Sequence, residues 1–586
     1  MTTHIIPEDA AVLRKRRMLF LALSLASMVA LIAAMHRLLA TNGLTALEFV
    51  QLVCFALTTP WASMGFWNAV IGFAILRLAP DPAAYVNPAL SRAGPQDPIT
   101  ARVALTLFVR HEQASAVIGR LRLMREELER TGHGRHFHFF LLSDSAIPEY
   151  CAEEERLFAK FRSEDPRPEE LIYRRRPLNV GFKAGNMRDF CERWGDDYDI
   201  FIPLDADSLM TAEALLRLVR VMQSNPTLGI LQTLVVGAPA TSFFTRAFQF
   251  GMRQGMRTYT TGAAWWQGDC GPFWGHNAAI RMAPYRDHCR LPKLSGGPPL
   301  GGDILSHDQV EAVLMRRAGW EVRVLSEEGG SWEQNPPALP DFIKRDLRWC
   351  QGNMQYFRLL NMPGLLPLSR IQLVLAILMY VGAPAWMGFI ITATAQAFFP
   401  SAGTEPYPVD LGIGLLIASM GMVLAPKLFG ILDILVQRRA RQGYGGGFRV
   451  LLGAFVEFLF SSLLAPVVSL AETIFMIGLC FGRRILWESQ RREGYRVPWI
   501  SAAKGLWPQT LFGAALTAAL AIAAPGSIAW ASPLLLALLL SIPLAVATSS
   551  PSMGEASVAI GLCAIPEERD PTALVHREES PATLQG

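Results

Sequence analysis

Residues Tyr198 to Asp207 read YDIFIPLDAD, an apolar stretch of strand length that stops at two acids one residue apart. Alternate residues of an extended chain face the same side, so Asp205 and Asp207 can enter one site together. Around this stretch the sequence alternates between strand and helix patterns. Strands are predicted at Val103–Val109, Phe137–Leu142, Leu171–Arg174, Tyr198–Leu204 and Gly229–Val236. Helices are predicted at Ala114–Glu129, near 149–161, at Asn186–Trp194 and at Met210–Ser224. This alternation implies an α/β domain, a mostly parallel sheet with helices on both faces. Ligands of such domains bind beyond the carboxyl ends of the strands. Acids stand at three of those ends: Glu112 in Arg110-His111-Glu112, Asp144 in Ser143-Asp144-Ser145, and the pair Asp205 and Asp207.

The flanks have a different composition. Of 586 residues, 51% are hydrophobic and 18% charged, with mean hydropathy +0.26. An ordinary soluble domain carries about 25% charge. Disorder, collagen and a small disulfide scaffold are excluded, and a purely soluble enzyme is disfavoured. Charge collects in residues 98–345. Long apolar runs lie before it, at Met18–Ala40 and Val50–Leu76. Others follow at Ile371–Phe399, Leu411–Leu435, Leu451–Phe481, Leu511–Ala524 and Ala529–Thr548. About 20 apolar residues suffice for a membrane-crossing helix. The expected organisation is a cytoplasmic N-terminus with two transmembrane helices (1–97), a cytoplasmic α/β domain (98–345) and an interfacial amphipathic segment (346–369). A transmembrane region (370–549) and a flexible cytoplasmic tail (550–586) complete it.

Arg14, Lys15, Arg16 and Arg17 assign the N-terminus to the cytoplasm, and the arginine-rich linkers at 437–449 and 483–504 are assigned there too. Residues 451–481 must then cross an even number of times. Two short crossings split at Pro466 give about eight in all; an in-plane segment gives six. The eight cysteines are scattered without a CxxC pair, which indicates neither a zinc site nor a disulfide framework. The net charge of +4, from 54 basic and 50 acidic residues, gives no sign of nucleic-acid binding.

Each local motif has two readings. Asp205-x-Asp207 suits Mg²⁺ or Mn²⁺ shared with a diphosphate, or equally an Asx-turn or helix cap. Lys183, before Gly185, offers a point charge for phosphate or is a solvated turn lysine. In Ser306-His307-Asp308, Asp308 is a general base or the start of a capped helix. Arg345, Arg348 and Trp349 share a helix face, suited to phosphate and a sugar ring or to anchoring at the membrane surface. His133, His136 and His138 match no strong metal spacing, and Gly443–Gly447 reads as a linker.

In this order, and flanked by apolar helices, the motifs resemble the processive family 2 glycosyltransferases. The closer resemblance is to the bacterial glucosyltransferases that build the backbone of osmoregulated periplasmic glucans. It is carried by HFFLLSDS (His138–Ser145), YRRRPLNVGFKAGNMRDF (Tyr173–Phe190), WGHNAAIR (Trp274–Arg281), LSHDQVEAVLMRRAGW (Leu305–Trp320) and KRDLRWCQGN (Lys344–Asn353). The resemblance implies a GT-A type domain and polymerisation of glucose from UDP-glucose, with inversion, into a β-1,2-glucan exported across the inner membrane. It implies that Glu112, Asp144, Lys183, Asp205 and Arg348 bind the nucleotide-sugar. Asp207, with Asp205, would hold Mg²⁺ or Mn²⁺, and Asp308 would be the catalytic base. Trp349, Arg345, His307 and His276 would bind the acceptor. Arg345 stands where the family's QxxRW motif has Gln, and Phe108 and His111 replace the usual Pro and Asn near Glu112. Expected partners are UDP-glucose, the growing glucan, inner-membrane lipids and periplasmic glucan-modifying proteins; some members depend on acyl carrier protein. Trp61, Trp67 and Trp386 are candidates to line an export path. A synthase of another β-linked polymer, or a transporter that senses UDP-sugar without turnover, are the rival readings.

Overall fold

The computed structural model describes residues 8–399, 405–485, 494–570 and 574–578. Helices α1 (Ala10–Leu39) and α2 (Ala46–Leu78) open the chain, and the short α3 (Pro82–Val86) leads into the α/β domain. There β1 (Val103–Val109), α4 (Ala114–Arg130), β2 (Phe137–Ser143), α5 (Pro148–Glu164), β3 (Leu171–Arg175), α6 (Phe182–Trp194) and β4 (Ile200–Asp205) alternate. The second half holds β5 (Leu209–Met210), α7 (Ala212–Ser224), β6 (Leu228–Gly237), α8 (Phe243–Gln267), β7 (Ala278–Arg281), α9 (Met282–His288), α10 (Asp308–Arg317) and β8 (Glu321–Glu333).

The sheet order is β3-β2-β1-β4-β7-β6-β8-β5. β1 pairs in parallel with β2 and β4, and β6 with β8; β7 and β5 run the other way. The strands are buried on both faces, as a sheet covered by helices requires. This is the expected mostly parallel α/β sheet with helices on both faces. One difference matters for the site: α6 begins at Phe182, so Lys183 sits in the first helical turn and not in a loop.

Two domain elements do not announce themselves in the sequence. β8 is broken by Gly329 and Gly330 and carries four glutamates, so its alternation is poor. α8 contains Arg246, Arg253 and Arg257, too many charges for a span, yet most of it is buried. It lies against α2 and a later helix over Val409–Val436, where small residues allow close approach. A Cβ on Gly72 would collide with the Thr258 carbonyl, and one on Gly430 with that of Gln254.

After the domain come α11 (Leu339–Met354), α12 (Pro367–Gln396), α13 (Val409–Val436), α14 (Arg438–Gly443), α15 (Gly447–Cys480), α16 (Trp499–Ala523), α17 (Ile528–Leu539) and α18 (Ser541–Thr548). Among the described residues, six helices are long and apolar enough to cross a membrane, or seven if the bent α17–α18 pair counts as one span. The expectation of about eight crossings fails at residues 451–481. They form one continuous helix, α15, of 34 residues that runs through Pro466. A proline removes one helical hydrogen bond, and packing against neighbouring helices tolerates that loss.

The tail also differs from the mobile chain expected. α19 (Pro551–Ala559) and α20 (Leu574–Glu578) are helical, and Leu574 and Val575 are buried in the domain core. Glu568 pairs with the buried Arg246 of α8 at 2.6 Å, and Glu567 pairs with Arg253 and accepts from Trp332 Nε1. Arg246 is 1% exposed, so removing its partner strands a charge. Breaking such a pair costs roughly 3–5 kcal/mol. Glu568→Ala should therefore lower the melting midpoint of the purified protein by several degrees. An unchanged midpoint would show that the tail contact contributes nothing.

Candidate active site

The acids at the sheet rim face one cleft. Glu112 follows β1, Asp144 follows β2, and Asp205 and Asp207 end β4; all line it together with Lys183, His276, Arg345, Arg348 and Trp349. Asp308 and His307, at the start of α10, line the adjoining lobe, which shares Lys183, Asp205, Arg348 and Trp349 with the first. Every residue expected at the site is thus near it, but several are otherwise engaged.

Lys183 Nζ is paired with Asp205 and donates to the Gly275 carbonyl at 2.8 Å. It neutralises one acid of the DxD pair and is not held out toward a phosphate. Asp144 is bound by both arms of Arg176, at 2.6 and 2.7 Å. Arg176 also donates to the carbonyls of Val180 and Phe182, so this pair folds the loop that leads into α6. His307 Nδ1 lies 2.9 Å from Glu311 Oε2, and Glu311 accepts from Tyr285 at 2.6 Å. Burial opposes the charged imidazole, but Glu311 and then Asp308 outweigh it and raise the His307 pKa. His307 therefore buttresses Asp308 from behind and has only one ring nitrogen left for any acceptor.

Arg345 is 8% exposed and stacks over the Trp349 ring, 4.8 Å from its centroid. Burial lowers its pKa against the pull of Glu333 and Asp207. Where the resembling family has Gln, this chain thus brings a cation toward two carboxylates. Trp349 is 48% exposed and borders every lobe of the site, as a sugar platform must.

Two site residues were missed. Glu333, the last residue of β8, lies 3.3 Å from His276 Nε2, and burial raises its pKa. It is another acid at a strand end, hidden because β8 itself was not recognised. Trp274 borders all three lobes, and its N–H donates to Gln232 at 2.9 Å.

A third lobe, of about 470 Å³, leaves the cleft at Asp308, Trp349 and Glu333 and runs between α2, α8 and α12, past Trp61, Met256 and Tyr380. Of the tryptophans considered for a path, only Trp61 lines it. Trp67 donates to Ser27 Oγ, and Trp386 packs beside Met387, Leu470 and Leu538.

Among the described residues, no group of three His, Cys, Asp or Glu is arranged to hold an ion unaided. Asp207 and Asp205 are hard oxygen donors that suit Mg²⁺ or Mn²⁺ with a diphosphate completing the shell. The residues present fit that use.

His111 gives a pH signature at the rim beside β2. It sits at φ 58, and its Nε2 accepts from Ala146 N–H at 2.9 Å and from Ile147 N–H at 3.3 Å. Burial, and then Arg110, lower its pKa below the ordinary 6.5. The unfolded chain therefore takes up this proton first as pH falls. The contribution to stability is complete above about 6.5 and is lost as pH drops from there to the folded-state value. His111→Asn keeps a side chain that tolerates positive φ. Melting midpoints should fall less for this variant than for the wild type on acidification; equal falls would count against the linkage.

The family model for glycosyl transferase family group 2 matches residues 200–400. A glucans biosynthesis glucosyltransferase H of Shewanella sp. (strain ANA-3) is 35% identical over 93% of this chain and 76% of its own. One of Rhodopseudomonas palustris (strain TIE-1) is 34% identical over 96% and 78%. Among solved structures, a mannosyltransferase from Pyrobaculum calidifontis in complex with GDP-Man and Mn2+ aligns at TM-score 0.39 and 14% identity, over 66% of this chain and 98% of that one.

Proposed function

Since the chain belongs to the glucans biosynthesis glucosyltransferase H family, we propose that it polymerises glucose from UDP-glucose, with inversion, into a β-1,2-linked glucan backbone. The observation that supports this reading is the position of Asp308, where the donor cleft meets the cavity that enters the helix bundle. A polymer end resting on Trp349 would present its hydroxyl between Asp308 and the donor sugar.

The chemistry then follows from the side chains. Asp308 accepts the proton of the acceptor hydroxyl as that oxygen attacks C1. UDP leaves from the opposite face, so the α-linked donor becomes a β-glucoside. Arg348 lies on the side where the diphosphate gathers charge and stabilises it. Asp207 and Asp205 would hold a divalent ion, which when bound supplies positive charge to the diphosphate. Lys183 keeps Asp205 oriented for that task, and the Glu333–His276 pair faces the acceptor. Purified protein with labelled UDP-glucose and Mg²⁺ should yield β-1,2-linked polymer. A different linkage would reassign the product, and donor binding without turnover would favour the sensing transporter.

In the same reading the third lobe receives the growing chain and the domain faces the cytoplasm at the inner membrane. α15 begins against α8, where Phe250 meets Gly453, and ends against α11, where Phe475 and Leu479 share a buried cluster with Leu347 and Cys350. Both of its ends thus rest on elements next to the α/β domain, which favours the in-plane path and six crossings. A reporter fused near residue 465 should read as non-periplasmic; a periplasmic signal would restore the two-crossing version.

A further inference from the structure

On α11, Arg345, Arg348 and Trp349 face the cleft. Asp346 and Cys350, one turn apart, lie on the neighbouring side. That side packs on the bundle: Leu347, Cys350 and Met354 share a buried cluster with Tyr380 of α12 and with Phe475 and Leu479 of α15. Within this contact the Asp346 carboxyl meets two polar groups. Tyr380 donates its hydroxyl to Asp346 Oδ1 at 3.5 Å, and the carboxyl of Glu472, one turn before Phe475 on α15, is hydrogen-bonded to Asp346.

Two carboxylates cannot hydrogen-bond to each other, because an ionised carboxyl only accepts. Neither forms an ion pair among the described residues. The charged and titratable groups facing them are Arg345 and Cys350 from α11 and Tyr380 from α12. Arg345 is turned to Trp349 and Glu333. Burial raises the pKa of Asp346, as a site that disfavours two negative charges requires.

We propose that Asp346 and Glu472 share one proton, and that this acid–carboxylate pair is a latch seating α11, with Arg348 and Trp349, on the membrane bundle. The inference rests on the assignment of Arg348 and Trp349 to the sugar-transfer site. Both are positioning residues: they touch neither donor nor acceptor, and they act through the helix that does. Loss of the shared proton at alkaline pH leaves two buried negative charges face to face, and α11 loosens.

The test is the pH profile of glucan synthesis, read beside infrared difference spectra. Glu472→Gln supplies an amide N–H that donates to Asp346 without a titrating proton. Its activity should remain close to wild type at neutral pH, and the alkaline fall of the wild type should be absent. Glu472→Ala removes the donor and should lose about tenfold or more, the worth of one hydrogen bond to a charged group. Wild-type minus Glu472→Gln and wild-type minus Asp346→Asn spectra should contain the same protonated-carboxyl band. If either variant fails to fold, the band difference from the other decides the matter. An alkaline limb unchanged in Glu472→Gln, or a carboxyl band missing from the difference spectra, would overturn the latch. A wild type that makes no glucan at any pH would instead overturn the reading of the site, and the infrared band would still report on the shared proton.

Discussion

Asp308→Asn should fold, bind UDP-glucose as the wild type does, and lose glucan synthesis by about 10²–10⁴-fold, the usual worth of a general base. The substitution keeps the shape and the helix start but cannot accept the proton of the acceptor hydroxyl. Among the described residues, Asp308 is the carboxylate that borders both the lobe lined by Ser306 and His307 and the cavity passing Trp61 and Tyr380, while Glu333 borders that cavity from the nucleotide-sugar cleft expected at the sheet rim. His307 and Glu311 behind it hold the turn by a 2.9 Å contact, which asparagine leaves in place. Donor binding measured separately, by displacement of a fluorescent UDP analogue, distinguishes a lost base from a collapsed site. Activity near the wild-type level would remove Asp308 from the mechanism and leave Glu333 as the next acid to test.

The second large effect is expected at Asp207. Asp207→Asn should lower glucan synthesis by about 10²–10³-fold, the scale of one lost electrostatic contact to a developing charge. It should also raise the concentration of Mg²⁺ or Mn²⁺ needed for half-maximal rate. Asp205→Asn provides the comparison. Asp205 is engaged by Lys183, so its loss frees a lysine that can take over part of the charge of the diphosphate, and the fall should be smaller. Equal losses, with no change in metal requirement for either, would contradict the unequal roles given to the two acids.

Much of the domain was legible because its signal is local. A buried strand reads as a short apolar run, and the acids behind Val109, Ser143 and Leu204 stand out against it. Partners are not local, and that is where the reading erred. Lys183 and Asp144 were recognised as charges near a nucleotide, but their engagement by Asp205 and Arg176 depends on loops that the sheet brings together. Glu333 was lost with its strand, since β8 carries two glycines and several acids and shows no clean alternation. α8 was lost for the opposite reason: its arginines look solvent-facing, yet Arg246 and Arg253 are buried by Glu567 and Glu568, more than three hundred residues away. Pro466 was overvalued as a breaker, because the helices around α15 supply packing that no window of sequence displays.

Transfer of the polymer through the helix bundle is tested by sidedness. Purified protein should be reconstituted into sealed vesicles and the orientation established by protease access to the α/β domain. Radiolabelled UDP-glucose and Mg²⁺ are then supplied on the side of that domain alone. Labelled β-glucan should appear inside, protected from added glucanase until the vesicles are opened, and none should form with Asp308→Asn. Glucan found only on the side of the UDP-glucose would contradict the path through the bundle, and bound donor with no polymer on either side would contradict the transferase itself.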